Sequence, residues 1–145
     1  TFGGEDYSSL RPLSYLQADI FIICMDVHDR SEKHNLDKTG MWTDLAVHTM
    51  AFCQELKAYC PKTPRILVGT KIDLRDHEDY KGKCYTKEEM KMFADLFECD
   101  GYIECSALTQ DELKATFDYV ISMTIKHREK VLQLEPSKRK SCIIL

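Results

Sequence analysis

One short apolar run and the polar loop after it constrain the fold of this chain most. Residues 66–68 (Ile-Leu-Val) are branched and apolar, and such a run indicates a buried strand. Gly69 ends the strand where the backbone must turn or lie close to another group. Lys71 and Asp73 follow in the next loop. Because ligands bind at the carboxyl ends of strands in open α/β sheets, this loop is the first candidate site.

The rest of the chain alternates strand-like and helix-like segments. The apolar run Ile20–Cys24 lacks polar alternation, which indicates a strand buried on both faces. Between Met41 and Ala58, apolar residues recur at helical spacing. The predicted elements are, in order, strand 20–24, helix 41–58, strand 66–68, helix 86–97, strand 102–105 and a long helix from 109. This alternation predicts a three-layered α/β fold in which right-handed crossovers join parallel strands.

Two capping boxes mark the predicted starts of the last two helices. In each box a Thr hydroxyl can accept a hydrogen bond from the third residue's N–H while a Glu side chain reaches back. Thr86 pairs with Glu89 in the first box, and Thr109 pairs with Glu112 in the second. The second box begins the long helix, whose predicted inward residues are Leu113, Phe117, Val120, Ile121 and Ile125.

Lys71 and Asp73 carry side chains that suit a flat ring with adjacent N–H donors. A carboxylate can accept two hydrogen bonds side by side, and a Lys stem can lie across a ring while its tip carries a cation. The edge of guanine presents such a donor pair. A Lys-x-Asp sequence after a strand is also typical of an ordinary solvated turn. The other motifs of the chain have to decide between these two interpretations.

Charge and cysteine content exclude several classes of protein. The 145 residues suit one domain, and the net charge of −4 argues against a general nucleic-acid binder. From residue 126 to the end, six Lys or Arg residues outnumber two acidic ones, a pattern typical of attachment to anionic membrane. The seven cysteines are scattered without a Cys-x-x-Cys motif. We therefore expect reduced cytosolic thiols rather than a zinc site or a disulfide framework.

Several motifs occur in one order along the chain. They are Gly3-Gly4-Glu5-Asp6-Tyr7, Leu10-Arg11-Pro12-Leu13-Ser14-Tyr15, Cys60-Pro61-Lys62-Thr63-Pro64, Leu67–Arg75, Glu104–Gln110 and a terminal Cys-aliphatic-aliphatic-Leu. Together they closely resemble a small GTPase of the Rho/Rac family over nearly all of residues 1–145. The resemblance implies a three-layer P-loop NTPase-like fold with a mainly parallel sheet, truncated to its carboxyl-terminal part. Residues 1–132 would form a partial G domain, and residues 133–145 a flexible basic tail.

The resemblance also implies GTP or GDP as the ligand, with Mg²⁺ as its ion. The implied nucleotide-binding residues are Thr1, Gly3, Gly4, Thr70, Lys71, Asp73, Ser106, Ala107 and Leu108. Asp73 would accept from the guanine ring N–H and amine, and a backbone N–H of loop 106–108 would meet the base oxygen. The implied switch residues, which contact effectors, are Glu5, Asp6, Tyr7, Leu10, Arg11 and Pro12. Alternatively, Ser106 could cap the last helix, and Tyr7, Leu10 and Leu13 could belong to the core.

The chain departs from the family pattern in its phosphate chemistry. Residues 1–145 contain no Gly-x-x-x-x-Gly-Lys-Ser/Thr loop and no first switch with a Thr that helps to hold Mg²⁺. Gly4 stands where the family has the Gln that orients the attacking water. We therefore expect no catalytic residue and no metal ligand in this chain, and only weak binding through the base.

The last four residues, Cys142-Ile143-Ile144-Leu145, form a prenylation box, in which the final Leu favours geranylgeranyl on Cys142. The preceding Lys138-Arg139-Lys140 adds an attraction to anionic lipid of about 1 kcal/mol per charge. The tail therefore predicts attachment to the cytoplasmic face of the plasma membrane or of endomembranes, with a cytosolic pool.

Three functions remain open from the sequence. The first is a Rho-type GTPase that cycles between GTP and GDP at a membrane and signals through Rho-type effectors and regulators, with a role in cytoskeleton organisation. The second is a non-catalytic, prenylated pseudo-GTPase that tethers or sequesters Rho partners, which the missing phosphate loop favours. The third is a non-functional gene fragment.

Overall fold

Three parallel strands form the sheet of the computed structural model, which describes residues 11–28 and 44–134. The strands lie in the order β1-β2-β3, so β2 is central, and both neighbouring pairs are parallel. Their bounds are Phe21–Asp26 for β1, Arg65–Thr70 for β2 and Gly101–Cys105 for β3. The predicted α/β class and the three predicted strands are confirmed.

Three α-helices alternate with these strands, and short 3₁₀ turns lie between them. The α-helices are α1 (Asp44–Tyr59), α2 (Lys87–Leu96) and α3 (Leu113–Leu134). The 3₁₀ helices span Arg11–Ser14, Ile72–Arg75 and Glu78–Tyr80. Within the described ranges, no helix is both long enough and apolar enough to cross a membrane.

The first predicted capping box forms and the second does not. Thr86 Oγ accepts a hydrogen bond from Glu89 N at 3.2 Å, and the Glu89 carboxylate accepts from Thr86 N at 2.8 Å. The prediction at Thr109 is wrong, because α3 begins only at residue 113. Gln110 and Glu112 adopt left-handed backbone conformations, with φ of 66° and 52°. These conformations interrupt the regular first turn that a capping box needs.

Two hydrophobic cores lie on opposite faces of the sheet. On one face, Leu67 packs in a cluster with Leu56 of α1 and Phe93 of α2. On the other face, Val68 packs with Val120 of α3. Because helices enclose β2 from both sides, the first five of its six residues are buried. This burial explains the unbroken apolar run from which the strand was predicted.

The inward face of α3 differs from the predicted one. Thr116 and Val120 are its buried residues, whereas Phe117, Ile121 and Ile125 are 55%, 55% and 52% exposed. The core beneath α3 is built from residues of β2 and β3, so the helix covers that half of the sheet. Helical spacing alone cannot say which of two adjacent lines of apolar residues faces a sheet.

Candidate functional site

The carboxyl ends of the three strands meet at one edge of the sheet. Asp26 of β1 pairs with Thr70 of β2, and Thr70 pairs in turn with Cys105 of β3. The Thr70 hydroxyl donates to Met25 O at 3.4 Å, toward β1. The loops that follow Thr70 and Cys105 therefore start side by side. These are the two loops predicted to bind guanine, and the register of the sheet brings them together.

Asp73 and Ser106 are predicted site residues that contact each other directly. Ser106 Oγ donates a hydrogen bond to Asp73 Oδ1. The Ser106 side chain is fully buried, and its oxygen also accepts from Thr109 N at 3.1 Å. Ser106 N donates to Asp111 O at 2.9 Å, which closes the turn. The alternative in which Ser106 caps the last helix is wrong, because α3 begins beyond this turn.

The contact between Ser106 and Asp73 leaves polar groups available for a ligand. No described residue donates a hydrogen bond to the second oxygen, Oδ2, of Asp73. The backbone N–H groups of Ala107 and Leu108 have no acceptor within residues 11–28 and 44–134. A carboxylate oxygen and two N–H donors in adjacent loops are complementary to the ring N–H, amine and oxygen of guanine.

Lys71 begins the first loop in a strained backbone conformation. Its φ of 61° and ψ of 40° lie in the left-handed region, which residues with a Cβ rarely adopt. Lys71 Nζ lies 2.5 Å from Asp26 Oδ2, at the end of β1. The hydrogen bond and the charge of Asp26 raise the pKa of Lys71, so this side chain stays cationic. The salt bridge fixes the Lys71 side chain at the strand edge.

A partly buried ion pair joins the two loops behind the candidate site. Arg75 Nη1 and Nη2 donate to the two carboxylate oxygens of Glu104 at 2.9 and 2.5 Å, and Arg75 Nε donates to Tyr85 O at 2.8 Å. The Tyr102 hydroxyl donates to the same carboxylate. Burial alone would raise the pKa of Glu104, but the hydrogen bonds from Arg75 and Tyr102 outweigh it and lower the pKa. Because Arg75 lies in the first loop and Glu104 precedes the second, the pair fixes their spacing.

Gly69 lies directly against this ion pair. A Cβ at this position would lie 3.2 Å from Glu104 Cγ and 3.3 Å from Tyr102 Oη. The close approach that was predicted at Gly69 is therefore confirmed. The sequence interpretation did not include Asp26, Arg75 or Glu104 among the site residues, although each is a charged residue near the end of a predicted strand.

The remaining predicted site residues fall into two groups. Thr1, Gly3, Gly4, Glu5, Asp6, Tyr7, Leu10 and Cys142 lie outside the described residues. Arg11 and Pro12 lie in the first 3₁₀ helix. Arg11 Nη1 lies 3.3 Å from Glu55 Oε2, and the Arg11 guanidinium lies 5.8 Å from the Phe52 ring centroid, so Arg11 packs against α1. Leu13 is 69% exposed, which excludes it from the core.

The described residues fit a guanine base and a metal ion differently. Asp73, Ala107 and Leu108 offer the acceptor and donors that a guanine edge needs. For a metal ion, residues 11–28 and 44–134 contain no group of three or more His, Cys, Asp or Glu side chains that could hold it. The Asp26 carboxylate is already paired with Lys71. This part of the chain therefore fits the base, and its described residues do not form a site for Mg²⁺.

Comparison with known protein families gives one match for this chain. The Ras family model matches residues 1–126. The match includes both loops at the sheet edge and the three parallel strands. Small GTPases of this kind bind guanine nucleotide and Mg²⁺ and act as signalling switches. The chain belongs to the Ras family of small GTPases.

Proposed function

We propose that this chain is a Rho-type small GTPase, a GTP- and GDP-binding switch that signals from a membrane surface, and that its two loops at the sheet edge recognise the guanine base. The hydrogen bond from Ser106 to Asp73 carries the guanine assignment. It holds the carboxylate through Oδ1 and leaves Oδ2 for a ligand.

Asp73 selects the base in this proposal. Guanine offers a ring N–H and an adjacent amine, and both can donate to the Asp73 carboxylate. Adenine lacks this pair of donors, so the carboxylate would lose its water without gaining partners, at a cost of about 2–5 kcal/mol. The N–H groups of Ala107 and Leu108 meet the guanine oxygen, and the apolar stem of Lys71 lies against the ring.

Residues 1–145 contain few of the groups that small GTPases use to bind and cleave phosphates. Residues 1–145 contain no Gly-x-x-x-x-Gly-Lys-Ser/Thr loop, and Gly4 has no side chain with which to orient water. We expect the purified chain to bind guanosine and GDP with similar, weak affinity, and to hydrolyse GTP slowly if at all.

The substitution Asp73→Asn tests the base assignment. An Asn amide donates a hydrogen bond where Asp accepts one, so it suits xanthine, which carries an oxygen in place of the guanine amine. We expect calorimetry with the full chain to show guanosine affinity reduced by about tenfold or more, and xanthosine affinity raised. Asp76→Asn, at an exposed carboxylate nearby, is the matched control. Equal changes in the two variants, or equal binding of guanosine and adenosine by the unmodified chain, would exclude guanine recognition by Asp73.

The second candidate function is a non-catalytic, prenylated pseudo-GTPase that tethers or sequesters Rho partners. Gly4 favours it, because this residue stands where the family has the Gln that orients the attacking water. Binding of Rho partners in the presence of GTP or of GDP is the deciding measurement, because slow turnover or none is expected of the purified chain in both cases. Partner affinity that differs between the two nucleotides supports the switch, and affinity that does not change with nucleotide supports the pseudo-GTPase.

Attachment to membrane through Cys142 is a further part of the proposal, and its support is the terminal sequence. In cells, we expect Cys142→Ser to move the chain from the membrane fraction to the cytosol, while Cys60→Ser leaves the distribution unchanged. If both variants stay with the membrane, the prenylation assignment is wrong.

A further inference from the structure

A second concave site lies at the opposite edge of the sheet from the guanine loops. It is a cavity of about 480 Å³ between the loop that joins α1 to β2 and the last turns of α3. Its size is within the range of ordinary small-molecule sites. Arg65, the first residue of β2, and Asp100, directly before β3, form its floor at the amino ends of the strands. The cavity is therefore separate from the candidate nucleotide site.

Two lysine ammonium groups give the cavity positive charge. Lys62, His127 and Lys130 line it. The two lysine side chains make no hydrogen bond or ion pair with any described residue. Arg128, on the same helix, is by contrast paired with Asp19, whose Oδ2 lies 2.5 Å from Arg128 Nη2. Within the part of the chain that the structure describes, Lys62 and Lys130 are therefore available for an anion.

The floor of the cavity carries one acidic side chain among the described lining residues. This is Asp100, whose Oδ2 already accepts a hydrogen bond from Arg65 N at 2.8 Å. The Arg65 side chain lies on the α1 side of the sheet, where its Nη1 donates to Cys53 O at 3.4 Å. The positive charge of the cavity therefore comes from Lys62 and Lys130.

The walls of the cavity are apolar. Pro61, Val131 and Leu134 line it beside the cations. This combination suits a ligand in which a phosphate group is joined to a less polar part. The phosphate group would contact the lysines, and the less polar part would contact the apolar wall.

The covalent chain limits how far this cavity can lie from a membrane. Leu134 lines the cavity, the basic run Lys138-Arg139-Lys140 starts four residues later, and Cys142 follows Leu134 by eight residues. Eight residues span at most roughly 30 Å. A lipid on Cys142 would therefore hold the cavity near the bilayer surface, where phosphate-bearing headgroups are concentrated.

We propose that this cavity binds the phosphate group of an anionic phospholipid headgroup. The inference rests on the membrane attachment in the proposed function, but not on nucleotide binding. Lys62 and Lys130 would contact the oxygens of a phosphate monoester on the headgroup, and the apolar wall would contact the carbon ring that carries it. Binding would fix the orientation of the domain on the bilayer and leave the opposite edge of the sheet, with its nucleotide loops, facing away from the membrane.

Vesicle binding by the full chain, purified without its lipid, tests the proposal. Vesicles that contain a phosphatidylinositol phosphate are compared with phosphatidylserine vesicles of equal surface charge. We expect the double variant Lys62→Ala, Lys130→Ala to bind the first kind about tenfold more weakly than the unmodified chain. Lys81→Ala, Lys83→Ala is the matched control, because it removes two exposed lysines far from the cavity. Equal losses in the two double variants, or no preference for the phosphate monoester, would overturn the proposal.

A second measurement separates the lipid from a free phosphate ester. Soluble inositol trisphosphate is titrated into the isotope-labelled chain while the backbone signals of His127 and Val131 are followed. We expect shifts at these signals at concentrations far above those at which vesicles saturate. Soluble ester that binds as tightly as vesicles would overturn the assignment to lipid, and shifts confined to other regions would overturn the site. Asp73→Asn should leave vesicle binding unchanged, so that failure of the nucleotide proposal is distinguished from failure of this one.

Discussion

The Ser106 hydroxyl and the Asp73 carboxylate share a hydrogen bond that joins two loops 33 residues apart in the sequence. The same oxygen of Ser106 accepts from Thr109 N, so one buried hydroxyl orders both the proposed base acceptor and the turn that carries Ala107 and Leu108. The site is thus organised before any ligand arrives, which reduces the entropy lost on binding.

Substitution of Ser106 by Ala tests this organisation. Asp73 would lose a donor and Thr109 N its acceptor, so we expect the free energy of unfolding to fall by about 1–3 kcal/mol. Guanosine affinity should fall by about tenfold, because the carboxylate is no longer oriented. Urea unfolding and calorimetry measure the two effects. Ser122→Ala, which removes a hydroxyl that donates to Tyr119 O at 2.8 Å within α3, should leave guanosine affinity unchanged.

Glu104→Gln should destabilise the fold and flatten its acid dependence. Removal of the Glu104 charge leaves the Arg75 guanidinium, whose side chain is 24% exposed, without its ion-pair partner, at a cost of about 2 kcal/mol near neutral pH. The folded pKa of Glu104 is below its ordinary value of 4.5, so the pair stabilises the fold above that pH. This stabilisation is lost as the pH falls from about 4.5 through the folded pKa.

Urea unfolding across the acidic range measures this prediction. The unmodified chain should lose stability more steeply below pH 4.5 than Glu104→Gln does. Glu88→Gln, at an exposed position on α2, should keep the steep dependence of the unmodified chain. If the free energies of unfolding of the unmodified chain and of Glu104→Gln fall equally steeply with pH, this ion pair is not the cause of the acid dependence.

Lys71→Gly should separate stability from base binding. Glycine adopts the left-handed conformation at position 71 without strain, which offsets the loss of an exposed salt bridge worth about 0–1 kcal/mol. We therefore expect the free energy of unfolding to change by less than about 1 kcal/mol, while guanosine affinity falls because the ring loses the Lys stem. Lys81→Gly, where φ is −57°, provides the contrasting control and should lower stability without affecting guanosine. A large loss of stability in Lys71→Gly would contradict the strain argument.

The observed inward face of α3 predicts unequal effects of two neighbouring substitutions. Val120 is 6% exposed in the core beneath α3, so Val120→Ala should cost about 2 kcal/mol of unfolding free energy. Ile121 is 55% exposed, so Ile121→Ala should cost less than about 1 kcal/mol. Urea unfolding of the two variants gives the comparison. If Val120 and Ile121 both faced the core, as the sequence pattern predicted, the two variants would lose similar amounts of unfolding free energy.

Local patterns in the sequence were sufficient for the strands, the helices and the first capping box. An apolar run such as residues 66–68 reports burial directly, because the central strand of a parallel sheet is enclosed on both faces. The capping box at Thr86 depends on residues within one turn, so its sequence contains all the information that it needs. The loop with Asp73 could be placed at the carboxyl edge of the sheet because it follows a predicted parallel strand, whereas Ser106 was assigned to the same site through the family resemblance.

Only the tertiary structure decided contacts between segments that are distant in sequence. The pairing of Lys71 with Asp26, and that of Arg75 with Glu104, depend on strand register, which no local pattern encodes. The buried line on α3 depends on how the helix is rotated over β2 and β3. The capping box at Thr109 failed because the loop 106–112 is shaped by the Ser106–Asp73 contact and by two left-handed residues. Side-chain chemistry along the chain therefore determined which groups could form a site, and long-range packing determined which of them meet.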